Sequence, residues 1–205
     1  MANGKSDLDV LRDLLGVDVP SGILQDGIRK LAQAGDDELK QFVPEDKIGT
    51  IRAAFELGRR WSCKKLEPGK TCEGPQDVYE HFLPILRDEQ REHLHLVLLD
   101  HQMRVIKDIL VSTGTLNSVA APPADVFRHA IRHCATRVCL VHNHPGVGKP
   151  TPSQADISLT MRMILCGELL GIEVMDHLVI SEGGYASIRS IIGDKANNLA
   201  QQLGL

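Results

Sequence analysis

Two histidines, His142 and His144, end an apolar run, and a loop rich in glycine and proline follows them. Alternate residues of an extended segment point to the same side, so both imidazoles could reach one metal ion. Asp156 falls in the first turn of a helix predicted after the loop, where its carboxylate could turn back toward the end of the strand. Two imidazoles, one carboxylate and an open fourth position are typical of a hydrolytic zinc site.

The same segment also has a purely structural interpretation. Ser153 and Asp156 match a capping box, with aspartate in the place of the usual glutamate. In that case the serine would only satisfy backbone groups at the start of the helix, and the histidines would be ordinary residues at a strand end. The residue pattern leaves both interpretations open.

Strands and helices alternate around these residues. Short apolar runs predict strands at 94–99, 105–112, 138–141 and 174–181. Helical spacing of apolar residues predicts helices at 78–86, after Pro122, and at 154–170, where Gly171 supplies a stop. This alternation indicates an α/β or α+β domain built on one sheet.

The chain divides by pattern into four segments. Residues 1–62 are predicted to form a helical domain, because apolar residues recur at helical spacing with short breaks. Residues 63–76 carry turn residues and predict a linker. Residues 77–193 hold the alternating elements and form the predicted metal-binding domain. Residues 194–205 are left as a C-terminal tail.

Bulk composition narrows the partners that we expect. The chain has 205 residues, a formal net charge of −4 and no apolar run near the roughly 20 residues of a membrane span, so we expect no membrane partner. The five cysteines include no C-x-x-C pair, which favours a reducing compartment and a cytoplasmic protein.

Nucleic-acid binding is weakly supported. Residues 6–70 carry 11 lysines and arginines against 12 acidic residues, so no net positive field draws DNA. Five of these cations are interpreted as a solvated helix end, with a local cationic patch as the alternative; they are Arg52, Arg59, Arg60, Lys64 and Lys65.

Four ordered blocks resemble the RadC group of the JAMM metalloprotease superfamily, also called MPN or Mov34. They are 114–117 (GTLN), 141–145 (VHNHP), 150–157 (PTPSQADI) and 170–177 (LGIEVMDH). The resemblance implies a three-layer domain of cytidine-deaminase-like architecture with a mixed sheet. It also implies that His142, His144 and Asp156 bind Zn²⁺.

Further roles follow from the same resemblance. An upstream glutamate would activate water; Glu92, just before the leucine-rich strand, matches it best, and Glu89 is the alternative. Ser153 would stabilise the oxyanion. Eight residues separate His144 from Ser153, one more than is usual in the family, and glycines in the loop could absorb the extra residue.

The function implied is a zinc-dependent metallopeptidase or isopeptidase acting on an unidentified protein or peptide. Two alternatives stay open: a non-catalytic scaffold or DNA-associated protein, since the family has a historical link to DNA repair, and a metal-dependent nuclease. The N-terminal domain resembles RadC's helix-hairpin-helix-like bundle. However, its phosphate-binding Gly-x-Gly hairpin is replaced by FVPEDKIG at 42–49.

Other histidine pairs carry weaker signals. His129 and His133 have the spacing of a zinc-binding helix without its glutamate, so we interpret them as a solvated helix face. His93 and His95 form a second alternating pair, interpreted as packed or exposed strand residues. His177 is left open between supporting the metal site and a structural role.

Overall fold

The computed structural model describes residues 4–62, 66–114, 121–145 and 148–193. The chain forms two compact units, Met1–Ser62 and Cys63–Leu205. The predicted tail at 194–205 lies outside the described residues. In the ranges that are described, no helix is both long and apolar enough to cross a bilayer.

The first unit is helical, as its apolar periodicity predicts. It contains α1 (Asp7–Leu15), α2 (Gly27–Gln33), α3 (Asp36–Leu39) and α4 (Glu45–Ser62), with a 3-10 helix at Ser21–Leu24. A capping box of Ser6 and Asp9 begins α1, and Gly16 ends it in the left-handed conformation that suits glycine. Apolar side chains from these segments form a core of their own, which includes Leu15, Val19, Leu39 and Ile51.

The described cations of the candidate patch pair inside this unit. Arg52 lies 3.0 Å from the carboxylate of Asp36. Arg59 and Arg60 both bind Glu56 at 2.7 Å. The two lysines of the patch lie outside the described residues. Local pairing of the arginines reduces the positive field that a phosphate backbone would meet.

The second unit is built on a five-stranded mixed sheet. Its elements in chain order are α5 (Pro75–Leu86), β1 (His93–Leu99), β2 (Val105–Thr113), α6 (Pro123–Arg132), β3 (Arg137–Asn143), α7 (Gln154–Leu170), β4 (Glu173–Ser181), β5 (Gly184–Ser187) and α8 (Ile188–Ile192). The strand order is β2-β1-β3-β4-β5. β3 and β4 are parallel, and the other neighbouring strands are antiparallel.

Helices cover both faces of this sheet, which confirms the expected three-layer architecture. Leu96 and Leu98 of β1 pack with buried residues of α6, α7 and α8. Val97 and Leu99, which alternate with them, pack with buried residues of α5 on the opposite face. Because both faces are covered, β1 and β3 read as nearly continuous apolar runs.

The predicted linker differs from the structure over its described part. Leu66 and Cys72 are buried in the core beneath α5. Between them, two backbone hydrogen bonds of 2.8 Å join the segment to the start of β2. The N–H of Gly69 donates to the carbonyl of Val105, and the N–H of Val105 donates to the carbonyl of Lys70. The turn residues indicated changes of chain direction, but burial of two isolated apolar side chains depends on distant partners. β5 and α8 were also not predicted.

Candidate metal centre

The topology of the second unit brings three separate segments to one edge of the sheet. β3 and β4 are parallel, so α7 must return along the sheet and begins near the end of β3. β1 runs antiparallel to β3, with Leu94 paired to His142, so the start of β1 lies at the same edge. The predicted ligands and the predicted base therefore converge, although they are far apart in sequence.

Three donor groups meet at this edge. Nε2 of His142 lies 3.1 Å from Nε2 of His144 and 3.3 Å from Oδ1 of Asp156. Nε2 of His144 lies 3.4 Å from Oδ2 of Asp156. Ligand atoms of a tetrahedral zinc, bound at about 2.0–2.1 Å, are separated by about 3.3 Å. The donor set and its spacing fit zinc.

Charge in this cluster favours a cation. Burial opposes ionisation of Asp156, but the imidazoles of His142 and His144 against its carboxylate hold its pKa well below the usual range. The hydrogen bond with Asp156 raises the pKa of His144, and burial opposes that shift only in part. The carboxylate therefore stays ionised and attracts positive charge, either a proton on the imidazole or a metal ion.

The helix cap and the metal ligand are compatible functions of one motif. The Ser153 hydroxyl donates to Oδ2 of Asp156 at 2.7 Å and accepts from the Asp156 backbone N–H at 3.1 Å. The backbone N–H of Ser153 also donates to Oδ2 at 2.7 Å. These bonds begin α7 and at the same time orient the carboxylate toward the histidines.

The longer spacer between His144 and Ser153 does not displace Asp156. The backbone N–H of His144 donates to the carbonyl of Ile180 at 3.0 Å. Farther along the loop, the Gly148 carbonyl accepts from the Ser181 hydroxyl at 2.6 Å. The start and the middle of the loop are thus attached to β4. Residues 146–147 lie outside the described ranges, as do 115–117 of the first resemblance block.

Glu92 lies just before β1 and is 9% exposed. Burial raises the pKa of its carboxyl above the usual value; the imidazoles of His142 and His144 oppose that shift, and the carboxylate of Asp156 adds to it. If the pairing of β1 with β3 is continued by two residues, Glu92 falls opposite His144. The structure thus brings Glu92 to the edge that holds the ligands.

Glu89, the alternative base, has a different neighbour. Its carboxylate lies 3.7 Å from Nε2 of His93, and its side chain is 44% exposed. Glu89 is thus more open to bulk water than Glu92, which is 9% exposed. The position of Glu92 therefore makes it the better candidate for a base.

Asn143 has a role that the sequence pattern did not predict. Its buried carboxamide accepts from the backbone N–H of His93 at 2.8 Å and donates to the carbonyl of Arg91 at 3.0 Å. It thus binds the backbone on both sides of Glu92, whose own carbonyl accepts from the N–H of Gly114 at 2.7 Å. One sequence signal for this role was present: Asn143 is a polar residue between two candidate ligands, and alternation along the strand turns its side chain to the opposite face.

The remaining histidine pairs do not form a metal centre. Among the described residues, the one group of three or more candidate ligands close enough to share an ion is His142, His144 and Asp156. His95 is buried, and within the described part of the chain neither of its ring nitrogens has a hydrogen-bond partner. Nδ1 of His133 lies 2.9 Å from the carbonyl of His129 on α6.

Known proteins match this chain over the segment that contains the sheet and the candidate ligands. A family model described as a RadC-like JAB domain matches residues 72–193. A UPF0758 protein of Geotalea uraniireducens is 37% identical over 190 residues, which cover 91% of this chain and 79% of that protein.

Two further relatives show comparable similarity. A UPF0758 protein of Desulforudis audaxviator is 41% identical over 165 residues, or 80% of this chain and 71% of the relative. A UPF0758 protein of Methanosarcina mazei is 34% identical over 169 residues, which cover 82% of this chain and 73% of that protein. With the family match covering more than half of its length, the chain belongs to the RadC family, and residues 72–193 are its RadC-like JAB domain.

Proposed function

We propose that this protein is a zinc-dependent hydrolase of the JAMM type that cleaves a peptide or isopeptide bond. The observation that carries the proposal is the convergence of His142, His144 and Asp156, with donor atoms 3.1–3.4 Å apart, at the edge that also holds Glu92. When bound there, zinc would supply Lewis acidity, lowering the pKa of water and polarising the scissile carbonyl.

Glu92 is the proposed general base and acid. Its burial raises the pKa of the carboxyl above the usual value, so the group holds a proton more readily than an exposed glutamate does. It would take a proton from the attacking water and later deliver it to the leaving amine. Asn143 would keep the Glu92 backbone in place during both transfers.

Ser153 would both orient Asp156 and stabilise the oxyanion. Its hydroxyl has one proton, which it donates to Asp156, so stabilising an oxyanion requires the hydroxyl to rotate away from that carboxylate. The backbone N–H of Ser153 also binds Oδ2 of Asp156 and would hold the ligand meanwhile.

The open side of the centre is formed by His144 and Asp156. Their side chains are 26% and 16% exposed, whereas His142 is 3% exposed. A substrate carbonyl would therefore approach past His144 and Asp156. An extended peptide or a flexible protein segment suits such an edge site, and a protein or peptide substrate is accordingly proposed.

Metal content combined with hydrolysis tests this function. We expect native preparations to hold about one zinc per chain, and Asp156→Asn and His142→Gln to lose it. Zinc-loaded protein should cleave members of a peptide and isopeptide library, and chelation should stop the cleavage. Native protein without zinc would overturn the proposal. Zinc-dependent cleavage of DNA or RNA with no cleavage of peptides would also overturn it.

A further inference from the structure

A chain of buried hydrogen bonds runs behind His142. Nδ1 of His142 lies 2.8 Å from Nε2 of His177. Nδ1 of His177 lies 2.6 Å from Oγ1 of Thr160, which donates to the backbone carbonyl of Asp156 at 2.7 Å. Thr160 and His177 are both 0% exposed, so water does not compete for these bonds. The chain therefore links one candidate ligand to the backbone of another.

The direction of each bond follows from chemistry. A carbonyl oxygen only accepts, so Thr160 gives its single hydroxyl proton to Asp156 and must accept from Nδ1–H of His177. His177 is 0% exposed, and the partners of its two ring nitrogens, His142 and Thr160, bear no negative charge, so this buried geometry favours a neutral ring. A neutral imidazole has one proton, so Nε2 of His177 accepts, and His142 must donate from Nδ1.

We propose that Thr160 and His177 are positioning residues that hold His142 in the Nδ1–H tautomer, with the Nε2 lone pair directed at the metal position. This inference rests on the proposed zinc centre. A histidine that binds a metal usually donates a hydrogen bond from its other ring N–H to a carboxylate, a carbonyl or water. Here a second histidine takes that place, and a threonine sets the orientation of that histidine.

The fold explains why these groups meet. Thr160 follows Asp156 by one turn of α7, so one helix supplies both the ligand carboxylate and the hydroxyl. His177 pairs with Leu140, two residues before His142 on β3, and alternation places both histidines on the sheet face covered by α7. Docking α7 on the sheet thus sets the Asp156 ligand and the His142 tautomer together.

The carboxylate next to His177 in sequence does not perform this task. Oδ1 of Asp176 accepts from the backbone N–H of His177 at 2.6 Å and from the Ser187 hydroxyl at 3.0 Å. It also accepts from the backbone N–H of Arg189 at 3.2 Å. These bonds hold β4 to β5 and α8, and the imidazole of His177 relies on Thr160.

Imidazole tautomers can be read directly by long-range ¹H–¹⁵N NMR on the metal-free protein at about pH 8, above the ordinary pKa of histidine. We expect both His142 and His177 as Nδ1–H tautomers. Observation of the Nε2–H tautomer at either residue would overturn the inference. The measurement needs no variant, so folding of a mutant does not limit it.

Zinc affinity supplies the second readout, by competition with a fluorescent chelator. Thr160→Val keeps the shape but removes the hydroxyl, and should weaken zinc binding by about 10–100-fold. Thr160→Ser keeps the hydroxyl and should bind zinc like the wild-type protein. If Thr160→Val binds zinc as tightly as the wild type, the inference fails while the zinc centre stands. If the wild-type protein itself binds no zinc, the proposed function fails.

Discussion

The Ser153 hydroxyl donates a 2.7 Å hydrogen bond to Oδ2 of Asp156, the same oxygen that lies 3.4 Å from Nε2 of His144. One serine thus begins a helix and orients a candidate metal ligand. A capping box restricts the aspartate rotamer through local bonds, so the carboxylate is oriented before any metal binds. The contribution of the Ser153 hydroxyl to the orientation of Asp156 can therefore be measured as a change in zinc affinity.

Removing that hydroxyl should affect both properties. Ser153→Ala is expected to lower the free energy of unfolding by about 1 kcal/mol and to weaken zinc binding. Ser6→Ala removes the equivalent hydroxyl from the capping box of α1 and is the matched control, since it should leave zinc affinity unchanged. Urea unfolding and chelator competition measure the two effects. Wild-type zinc affinity in Ser153→Ala would show that the cap does not orient Asp156.

The two candidate bases are separated by paired isosteric substitutions. Glu92→Gln removes the group that accepts a proton and should lower hydrolysis by about 10²–10⁴-fold with zinc content unchanged. Glu89→Gln changes an exposed carboxylate near His93 and should retain full activity. Initial rates and metal content of the two variants decide the assignment. Equal activity of both variants would rule out Glu92 as the base.

Asn143 should affect catalysis without affecting the metal. Asn143→Ala removes the two bonds that hold the backbone on either side of Glu92. A displacement of the base by about 1 Å costs on the order of 100-fold in rate, while the three zinc ligands remain. Rates are compared at matched zinc occupancy. If activity and zinc content fall in parallel, Asn143 supports the metal ligands instead of the base.

His95 should make stability depend on pH. Burial lowers its pKa to about 4; Asp108 opposes this shift, whereas His93 and His81 add to it. As the pH falls, His95 of the unfolded chain therefore binds a proton before His95 of the folded protein does. The contribution of His95 to the free energy of unfolding is fully present above about pH 6.5 and is lost as the pH falls toward about 4. Between pH 7 and 5 this loss is on the order of 2 kcal/mol.

The comparison with His95→Leu isolates this contribution. The variant cannot take up a proton at this position, so its free energy of unfolding should fall less between the two pH values. Denaturant unfolding of the metal-free proteins at each pH measures the difference. Parallel pH dependence in the two proteins would contradict the assignment to His95.

Close packing of α7 on the sheet requires Gly167. A Cβ atom there would lie 2.4 Å from the backbone carbonyl oxygen of Ile172 and 3.2 Å from a methyl of Val174. Gly167→Ala should therefore destabilise the protein by about 1–3 kcal/mol. Gly49 is an exposed glycine of α4 with open space around its Cβ position, so Gly49→Ala should stabilise by up to about 1 kcal/mol. Equal thermal stability of the two variants would contradict this reading of the contact.

Features with short-range causes could be predicted from sequence. The helix Gln154–Leu170 begins at its Ser153 cap and ends at Gly171 in the left-handed conformation, as the local pattern indicates. The apolar run before His142 similarly indicates β3. Periodicity, caps and glycine stops act within a few residues, so the chain contains the information locally.

Local pattern therefore predicted the ligand types and spacing of His142 and His144 and the helix that carries Asp156, and it carried the family resemblance. Packing between distant segments places Glu92 at the ligand edge, binds Asn143 to the backbone on both sides of Glu92, and brings His177 against Nδ1 of His142. These relationships span 35 to 52 residues along the chain. They arise from strand register and helix docking, which depend on packing between distant segments and not on the pattern within any one of them.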